Sequence, residues 1–314
     1  MKRIVISEFM DAPAVARLEQ RFEVDYRPQL VDDGPALTAA LPAADAWIVR
    51  NRTQVRGALL QAAGRVRVIG RLGVGLDNID VGACEARGIR VIPASGANAE
   101  SVAEYVIAMA LVLLRGAYLS SAEVAAGKWP RQALSSGREA GGKTLGLVGF
   151  GHIGRITAAK AAALGMRVLG HDAHLPDADP AWARGRAQPR ALDALLAQSD
   201  AVSLHLPLTP QTRGLFGHER LARMKRGAVL VNTARGGIVD EEALARLLRD
   251  GHLGGAALDV FENEPLAAGS PLAGAPRLVL TPHVAGLTLE SNERVSSLIA
   301  AKVAEALDGV RPTT

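Results

Sequence analysis

Short apolar runs alternate with stretches of helical periodicity along most of the chain, the pattern of βαβ units that set a parallel sheet between layers of helices. In the first third the runs predict strands at Arg3–Ser7, Phe22–Arg27, Ala46–Arg50, Val66–Gly70 and Arg90–Pro93, with amphipathic stretches at Ala12–Arg21 and Val55–Ala63 between them. A second set opens at Lys143, with strands expected at Thr144–Phe150, Arg167–Asp172, Asp200–Leu204, Ala228–Asn232, Gly255–Val260 and Leu278–Thr281. The expected fold class is α/β, with two doubly wound parallel-sheet domains of five and about six strands.

Between the two sets, Ala99–Ser121 carries Val102, Val106, Ala110 and Leu113 at helical spacing. It is too long and too apolar for a plain linker. Two readings stand: a helix that joins the domains and carries a subunit contact, or an ordinary core helix. After Pro282 the pattern turns helical again from Leu289 to Leu307, and this closing helix is expected to return to the first domain. The expected division is 1–98 plus 287–314 for one domain and 99–286 for the other. One helix has legible ends. Asp240 can cap it, Glu241 and Glu242 lie in its first turn, Arg246 and Arg249 in its last, and Gly251 suits the exit.

Composition narrows the class. A chain of 314 residues suits two domains, and 48% hydrophobic with 22% charged residues is ordinary for a globular protein. The net charge is +4, but the 36 basic and 32 acidic residues are interspersed without a basic run, so no nucleic-acid partner is expected. The lone Cys84 excludes an internal disulfide and a multi-cysteine metal site and suits a reducing compartment. Met1-Lys2-Arg3-Ile4-Val5-Ile6 leads straight into a strand, unlike a signal peptide. The most apolar segment, Tyr105–Leu114, falls short of the ~20 residues that cross a bilayer. The expected protein is cytoplasmic, with no membrane partner and no metal.

Chemistry first shows at Thr144–Gly154. A strand runs into glycines at Gly149, Gly151 and Gly154, then a helix start. The first glycine permits a tight turn, the second lets backbone approach a pyrophosphate, and the third lets helix pack on strand. The amides of His152 and Ile153 would then face phosphate from a helix N-terminus. About twenty residues on, the next strand ends at Asp172, where a ribose 2′-hydroxyl needs an acceptor. A carboxylate there accepts from that hydroxyl and repels a 2′-phosphate, which favours NAD over NADP. The second domain is thus expected to be a Rossmann NAD-binding domain.

Three successive strand-to-helix turns carry Arg235, Glu264 and His283. Each alone is an unremarkable surface or loop residue. Together, after a dinucleotide loop, they supply what hydride transfer from a hydroxy acid needs: a base, a partner for the base, and a cation for carboxylate and C2 oxygen.

With these motifs assembled, the chain resembles the D-isomer-specific 2-hydroxyacid dehydrogenase family, which includes phosphoglycerate dehydrogenase and hydroxypyruvate reductase. The resemblance runs nearly end to end and is most specific at the glycine loop, Met224–Ala228, Asn232–Gly237, Asp259–Phe261 with Glu264-Pro265, and Thr281-Pro282-His283. It implies His283 as general acid/base, Glu264 as support for its ring, and Arg235 as ligand of the substrate carboxylate and carbonyl oxygen. It implies that Gly73–Asn78 is the substrate loop of a smaller flavodoxin-like domain, with the Val74 and Gly75 amides facing the carboxylate. Implied cofactor contacts include His205, Leu206 and Pro207 under ribose and adenine, Thr233 and Ala234 by backbone, Asp259 near the nicotinamide amide, and Arg235, His283 and Gly286 beside them. For His205 itself, strand-end packing is the expected role rather than acid/base work.

Arg50, Arg52 and Arg71 add a hypothesis on substrate. If they face the cleft they can hold a second anion such as a phosphate or sulfonate, and Arg50–Val55 is similar to sulfolactate- and phosphoglycerate-type members. The competing reading is surface arginines at a strand end. The partner expected is a small 2-hydroxy or 2-keto acid, with a homodimer implied by the family, and hydroxypyruvate or glyoxylate reduction is the alternative activity. Formate dehydrogenases share the architecture, but the resemblance there expects glutamine where Glu264 stands. An NAD-sensing corepressor is the rival from another class. The end at Thr314, soon after the closing helix, leads to the expectation of no appended regulatory domain.

Overall fold

The computed structural model describes residues 1–309; the last five positions, which the sequence reading gives to the discontinuous domain and on which its expected chain end rests, lie outside them. The chain divides into two compact units, one of Met1–Asn98 together with the chain from Leu287 onward, the other of Ala99–Gly286.

In the first unit β1 (Arg3–Ile6), α1 (Ala12–Glu19), β2 (Glu23–Tyr26), α2 (Gly34–Ala40), β3 (Ala46–Val49), α3 (Gly57–Ala62), β4 (Val68–Arg71), α4 (Val81–Ala86) and β5 (Arg90–Pro93) follow in order. The five strands are parallel and lie β2-β1-β3-β4-β5, the order of a flavodoxin-like sheet. Both faces are apolar because successive side chains alternate. Ile4, Ile6, Ala46 and Ile48 enter one layer, and Val5, Trp47 and Val49 the other.

The second unit opens with α5 (Ala99–Arg115) and α6 (Ser121–Ala125). There follow β6 (Thr144–Val148), α7 (His152–Ala163), β7 (Arg167–His171), α8 (Pro180–Arg184), β8 (Gln188–Pro189), α9 (Leu192–Gln198) and β9 (Ala201–Leu204). The unit closes with α10 (His218–Ala222), β10 (Val229–Asn232), α11 (Glu241–Arg249), β11 (Gly255–Leu258) and β12 (Leu278–Leu280). Its seven strands lie β12-β11-β10-β9-β6-β7-β8, all parallel. The order reverses between β6 and β9, the switch point at which open α/β sheets bind ligands. One strand more than expected is present, because β8 is two residues long and carries no apolar run.

Helix α5 corrects one expectation. It ends at Arg115 rather than Ser121, where Gly116 takes a left-handed turn (φ 72°). Its stripe of Val106, Ala110 and Leu113 packs on Leu145, Leu147, Val229, Val231 and Ala257 of its own sheet, the packing of the core-helix reading. The amphipathic stretch at Val55 also starts later than expected, since Val55 forms a parallel bridge with Ile79 and the helix begins at Gly57. Helix α11 is capped as its sequence predicts, with Asp240 Oδ1 accepting from Ala243 N at 2.9 Å. Among the described residues no single helix is long and apolar enough to cross a membrane; the pair Ala99–Arg115 and Ala117–Ala125, bent by 73°, passes that test only jointly.

Helix α12 (Leu289–Gly309) belongs to the first unit. Val295, Ile299, Val303 and Leu307 cover the layer that holds Ile4 and Ile48. Close approach is possible because β4 presents Gly70: a Cβ there would stand 2.7 Å from the Ile299 and Val303 side chains.

Candidate active site

The carboxyl edge of the seven-stranded sheet collects the loops that matter. Gly149 follows β6 with φ 97°, and a Cβ on it would stand 2.3 Å from the His205 carbonyl oxygen. At Gly154 a Cβ would stand 2.5 Å from the Gly149 oxygen, whereas at Gly151 it would meet open space. Two glycines therefore close the turn, and the third leaves room beside it. Helix α7 starts with no side-chain cap, so the first-turn amides of His152, Ile153 and Gly154 lack the usual intrahelical or cap acceptor. Asp172 is held against this loop, accepting from Phe150 N at 2.8 Å and from His174 N at 2.9 Å.

Across the switch point, His205 Nε2 lies 3.1 Å from Ser203 Oγ, and burial pushes its imidazole down to about 4, which leaves it neutral at pH 7. Leu206 leans on the core, and the Pro207 carbonyl accepts from Thr212 Oγ1 at 2.6 Å. After β10, Ala234 N donates to Asn232 Oδ1 at 3.0 Å, while Thr233 Oγ1 is buried without a hydrogen-bond partner in the protein. An uncapped helix start, an open glycine and an orphaned hydroxyl along one sheet edge fit a bound dinucleotide.

The next three loops are bolted together. Arg235 Nη1 donates to the Ala234 carbonyl at 2.6 Å, and the Arg235 carbonyl accepts from Asn232 Nδ2 at 3.1 Å. Gly236 brings this turn onto the one after β11, since a Cβ there would stand 1.7 Å from the Phe261 carbonyl oxygen. Glu264 Oε1 accepts from Phe261 N at 3.1 Å, and Glu264 Oε2 is 2.8 Å from His283 Nδ1. His283 has a left-handed backbone (φ 56°), a conformation a non-glycine residue adopts only where its surroundings hold it.

Asp259 is what holds it. Only 1% exposed, its carboxylate accepts from Thr281 Oγ1 at 2.6 Å, Val284 N at 2.9 Å and Ala285 N at 2.8 Å. Its own carbonyl accepts from His283 N at 2.8 Å. Because Thr281 donates to Asp259, the Tyr105 hydroxyl, 2.6 Å from Thr281 Oγ1, donates in turn. Burial pushes that phenol up in pKa, which keeps its proton in place. Sequence reasoning places Asp259 near the nicotinamide amide; the bonds of its carboxylate go to the His283 turn. Tyr105 carries no such signal, since a helix tyrosine is unexceptional until folded, and the motif that holds Thr281 does not reveal its partners. Gly286 closes the unit.

In the first unit, the carboxyl edge carries Arg50, Arg52, Arg71, Val74 and Gly75. Arg50 stacks on Phe9, with Cζ 5.6 Å from the ring centre, and Nη2 donates to Asn292 Oδ1 at 2.6 Å. Arg52 pairs instead with the Asp32 carboxylate on the exposed side of the unit. Arg71 folds over its own loop, close enough that a Cβ at Gly73 would overlap its guanidinium, and Val74 is 40% exposed. Among the described residues no group of three or more His, Cys, Asp or Glu is placed to hold a metal ion.

Comparison with known proteins follows this geometry. The family model described as D-isomer specific 2-hydroxyacid dehydrogenase, NAD binding domain, matches residues 107–285. The chain is 55% identical over 311 residues to the (S)-sulfolactate dehydrogenase of Chromohalobacter salexigens, covering 99% of this chain and all of that protein. It is 41% identical to the D-3-phosphoglycerate dehydrogenase of Mycobacterium leprae, of whose length it spans 57% while the match covers 98% of this chain. Among solved structures, D-lactate dehydrogenase from Aquifex aeolicus, complexed with NAD and lactic acid, matches with a TM-score of 0.85 at 30% identity, over 98% of this chain and 96% of that one.

Proposed function

Because the chain belongs to the D-isomer specific 2-hydroxyacid dehydrogenase family, we propose that its substrate is a D-configured 2-hydroxy acid bearing a second anionic group, of the sulfolactate kind. The observation that carries the chemistry is the His283 Nδ1–Glu264 Oε2 contact of 2.8 Å. With Nδ1 engaged by the carboxylate, the ring is fixed in one orientation and tautomer, and Nε2 remains to exchange a proton with the substrate oxygen. NAD, when bound, supplies the nicotinamide C4 that accepts the hydride.

The chain's own residues do the rest. His283 Nε2 takes the hydroxyl proton as the C2 hydrogen departs, and the imidazolium is stabilised by Glu264. Arg235 holds the carboxylate and polarises the C2 oxygen, so reduction of the keto acid runs through the same contacts in reverse. The α7 amides and Gly151 take the pyrophosphate, Asp172 the ribose hydroxyls, and Thr233, Ala234, His205, Leu206, Pro207, Asp259 and Gly286 line the rest of the cofactor.

Arg50 and Arg71 are the groups for the second anion. Arg52, already neutralised by Asp32, is not. Support for this substrate class comes from the 55% identity to a sulfolactate dehydrogenase. Its (S) label does not conflict with D specificity. Sulfur outranks the carboxyl carbon's oxygens in the naming rules, so (S)-sulfolactate has the spatial arrangement of D-lactate. The test is NADH formation with sulfolactate, 3-phosphoglycerate, glycerate and lactate, repeated with NADP. Preference for glycerate or lactate would end the dianion reading and favour the hydroxypyruvate and glyoxylate reductase alternative.

The working form is proposed to be a cytoplasmic homodimer. Tyr118, Leu119, Val124 and Trp129 are each more than 40% exposed within one short segment, an apolar density that suits a covering second copy. Buried Cys84 suits a reducing compartment. A monomer in light scattering would contradict the dimer.

A further inference from the structure

Arg50 is gripped at both ends by one dipeptide. The Glu8 side chain, 4% exposed at the end of β1, accepts three backbone N–H groups of the Arg50 turn. Glu8 Oε1 takes Arg50 N at 2.8 Å and Thr53 N at 3.0 Å, and Oε2 takes Arg52 N at 3.1 Å. The next residue, Phe9, holds the other end of Arg50: its ring lies beneath the guanidinium and its carbonyl accepts from Nη1 at 3.5 Å. Below them Trp47 Nε1 donates to Ser7 Oγ at 3.0 Å, and Ser7 Oγ is 3.3 Å from Thr53 Oγ1.

The turn's acceptors are satisfied from the opposite side. Asn78, at the end of the Gly73–Asn78 loop, donates through Nδ2 to the Thr53 carbonyl at 2.7 Å and the Arg50 carbonyl at 3.2 Å. The backbone then zips, with Val55 N on the Asn78 carbonyl at 2.8 Å and Asp80 N on the Val55 carbonyl at 3.0 Å. Glu8 thus supplies acceptors where the turn has donors, and Asn78 donors where it has acceptors. The backbone of Arg50 has no slack, and its guanidinium is held by the Phe9 carbonyl and by Asn292 Oδ1.

We propose that Glu8 and Phe9 are specificity-positioning residues: they fix the Arg50 guanidinium at the spot where a second anionic group is read, so that acids carrying one are selected over acids that do not. The inference rests on the dianion reading given above. A guanidinium on a loose stem loses much of its binding to ordering entropy, whereas one already braced by a ring, a carbonyl and Asn292 Oδ1, on a backbone tied to Glu8, does not. Neither Glu8 nor Phe9 is assigned a contact with the reacting atoms. Their effect is confined to the second anion.

Charge makes the sign of the test diagnostic. Removing a carboxylate near Arg50 raises the local positive potential and by itself tightens anion binding. In Glu8→Gln one of the two acceptor oxygens becomes an amide nitrogen, so at least one of the three N–H groups loses its partner and the turn loosens. Weaker binding of a dianion in that variant therefore reports lost geometry and not lost charge.

The experiment compares sulfolactate with lactate, which differ by one sulfonate, in wild type, Glu8→Gln and Phe9→Ala. In both variants KM for sulfolactate should rise about 10-fold, with its kcat and the KM for lactate each within about 2-fold of wild type. An equal rise for both acids would make Glu8 a general structural brace and overturn the proposal. An unchanged or lower KM for sulfolactate would overturn it as well. Phe9 is 49% exposed, so its variant carries the test if Glu8→Gln fails to fold. A wild type that does not prefer sulfolactate to lactate refutes the dianion reading before any variant is made, so the two failures are told apart.

Discussion

Gly236 and Phe261 are in backbone contact: a Cβ on Gly236 would lie 1.7 Å from the Phe261 carbonyl oxygen and 2.7 Å from Glu262 N. Through this contact the turn carrying Arg235 and the turn carrying Glu264 move as one. Both obstructing atoms are main chain and cannot rotate aside. Gly236→Ala should therefore cost about 1–3 kcal/mol of stability. It should also lower kcat/KM by about 100-fold through displacement of Arg235. Thermal unfolding and steady-state kinetics on the one variant check both; wild-type kinetics would show the two turns to be independent.

The Asp259 carboxylate ties three donors of the His283 turn, and Thr281 links it to Tyr105. Thr281→Val removes one of those donors and leaves Tyr105 facing a methyl group. We expect kcat to fall about 10-fold while the KM for NAD stays within about 2-fold, since the change misplaces the base rather than the cofactor. A rise in the KM for NAD with kcat intact would reverse that assignment.

Asp172 is fixed beside the glycine loop by Phe150 N and His174 N. On the proposed reading, Asp172→Ala removes the acceptor for ribose hydroxyls and the charge that repels a 2′-phosphate. The ratio of kcat/KM for NAD over NADP should drop at least ~10-fold. An unchanged ratio would place cofactor discrimination elsewhere.

Asp200 sets an acid limit on stability. Burial of its carboxyl raises its pKa and is the largest single influence. The Lys225 hydrogen bond at 2.7 Å, Thr144 N at 2.9 Å and the charges of Lys225 and Arg138 together outweigh it, so the group titrates below its ordinary 3.8. A folded pKa below the unfolded one gives stability that is complete above about pH 4 and is lost as pH falls through the folded value. Asp200→Asn should lower the melting temperature at pH 7 and flatten its decline below pH 4. Parallel melting curves for the two proteins would contradict this.

Much of this was legible beforehand, for reasons particular residues make plain. Both sheets are buried on two faces, so strands such as Thr144–Val148 and Val229–Asn232 read as continuous apolar runs. Gly149 and Gly154 stand out in the glycine loop because a Cβ on either would strike backbone oxygen. Glu264 and His283 are readable as chemical types in successive turns. What the sequence hides is partnership. Nothing in the order of residues says that Glu8 reaches across to Arg50, or that Tyr105 on α5 ends a hydrogen-bond chain at Asp259. The two-residue strand at Gln188 and the turn at Gly116 escaped because each is set by tertiary packing against weak local pattern. For Arg52 the sequence leaves a ligand contact and a surface role open, and the fold pairs it with Asp32.

The claim on which the rest depends is that His283 moves the proton. In His283→Ala, kcat for oxidation of the preferred hydroxy acid should fall by about 10²–10⁴, while the dissociation constant for NADH, read by fluorescence titration, stays within about 3-fold. Turnover close to wild type in a variant that still binds NADH would contradict it.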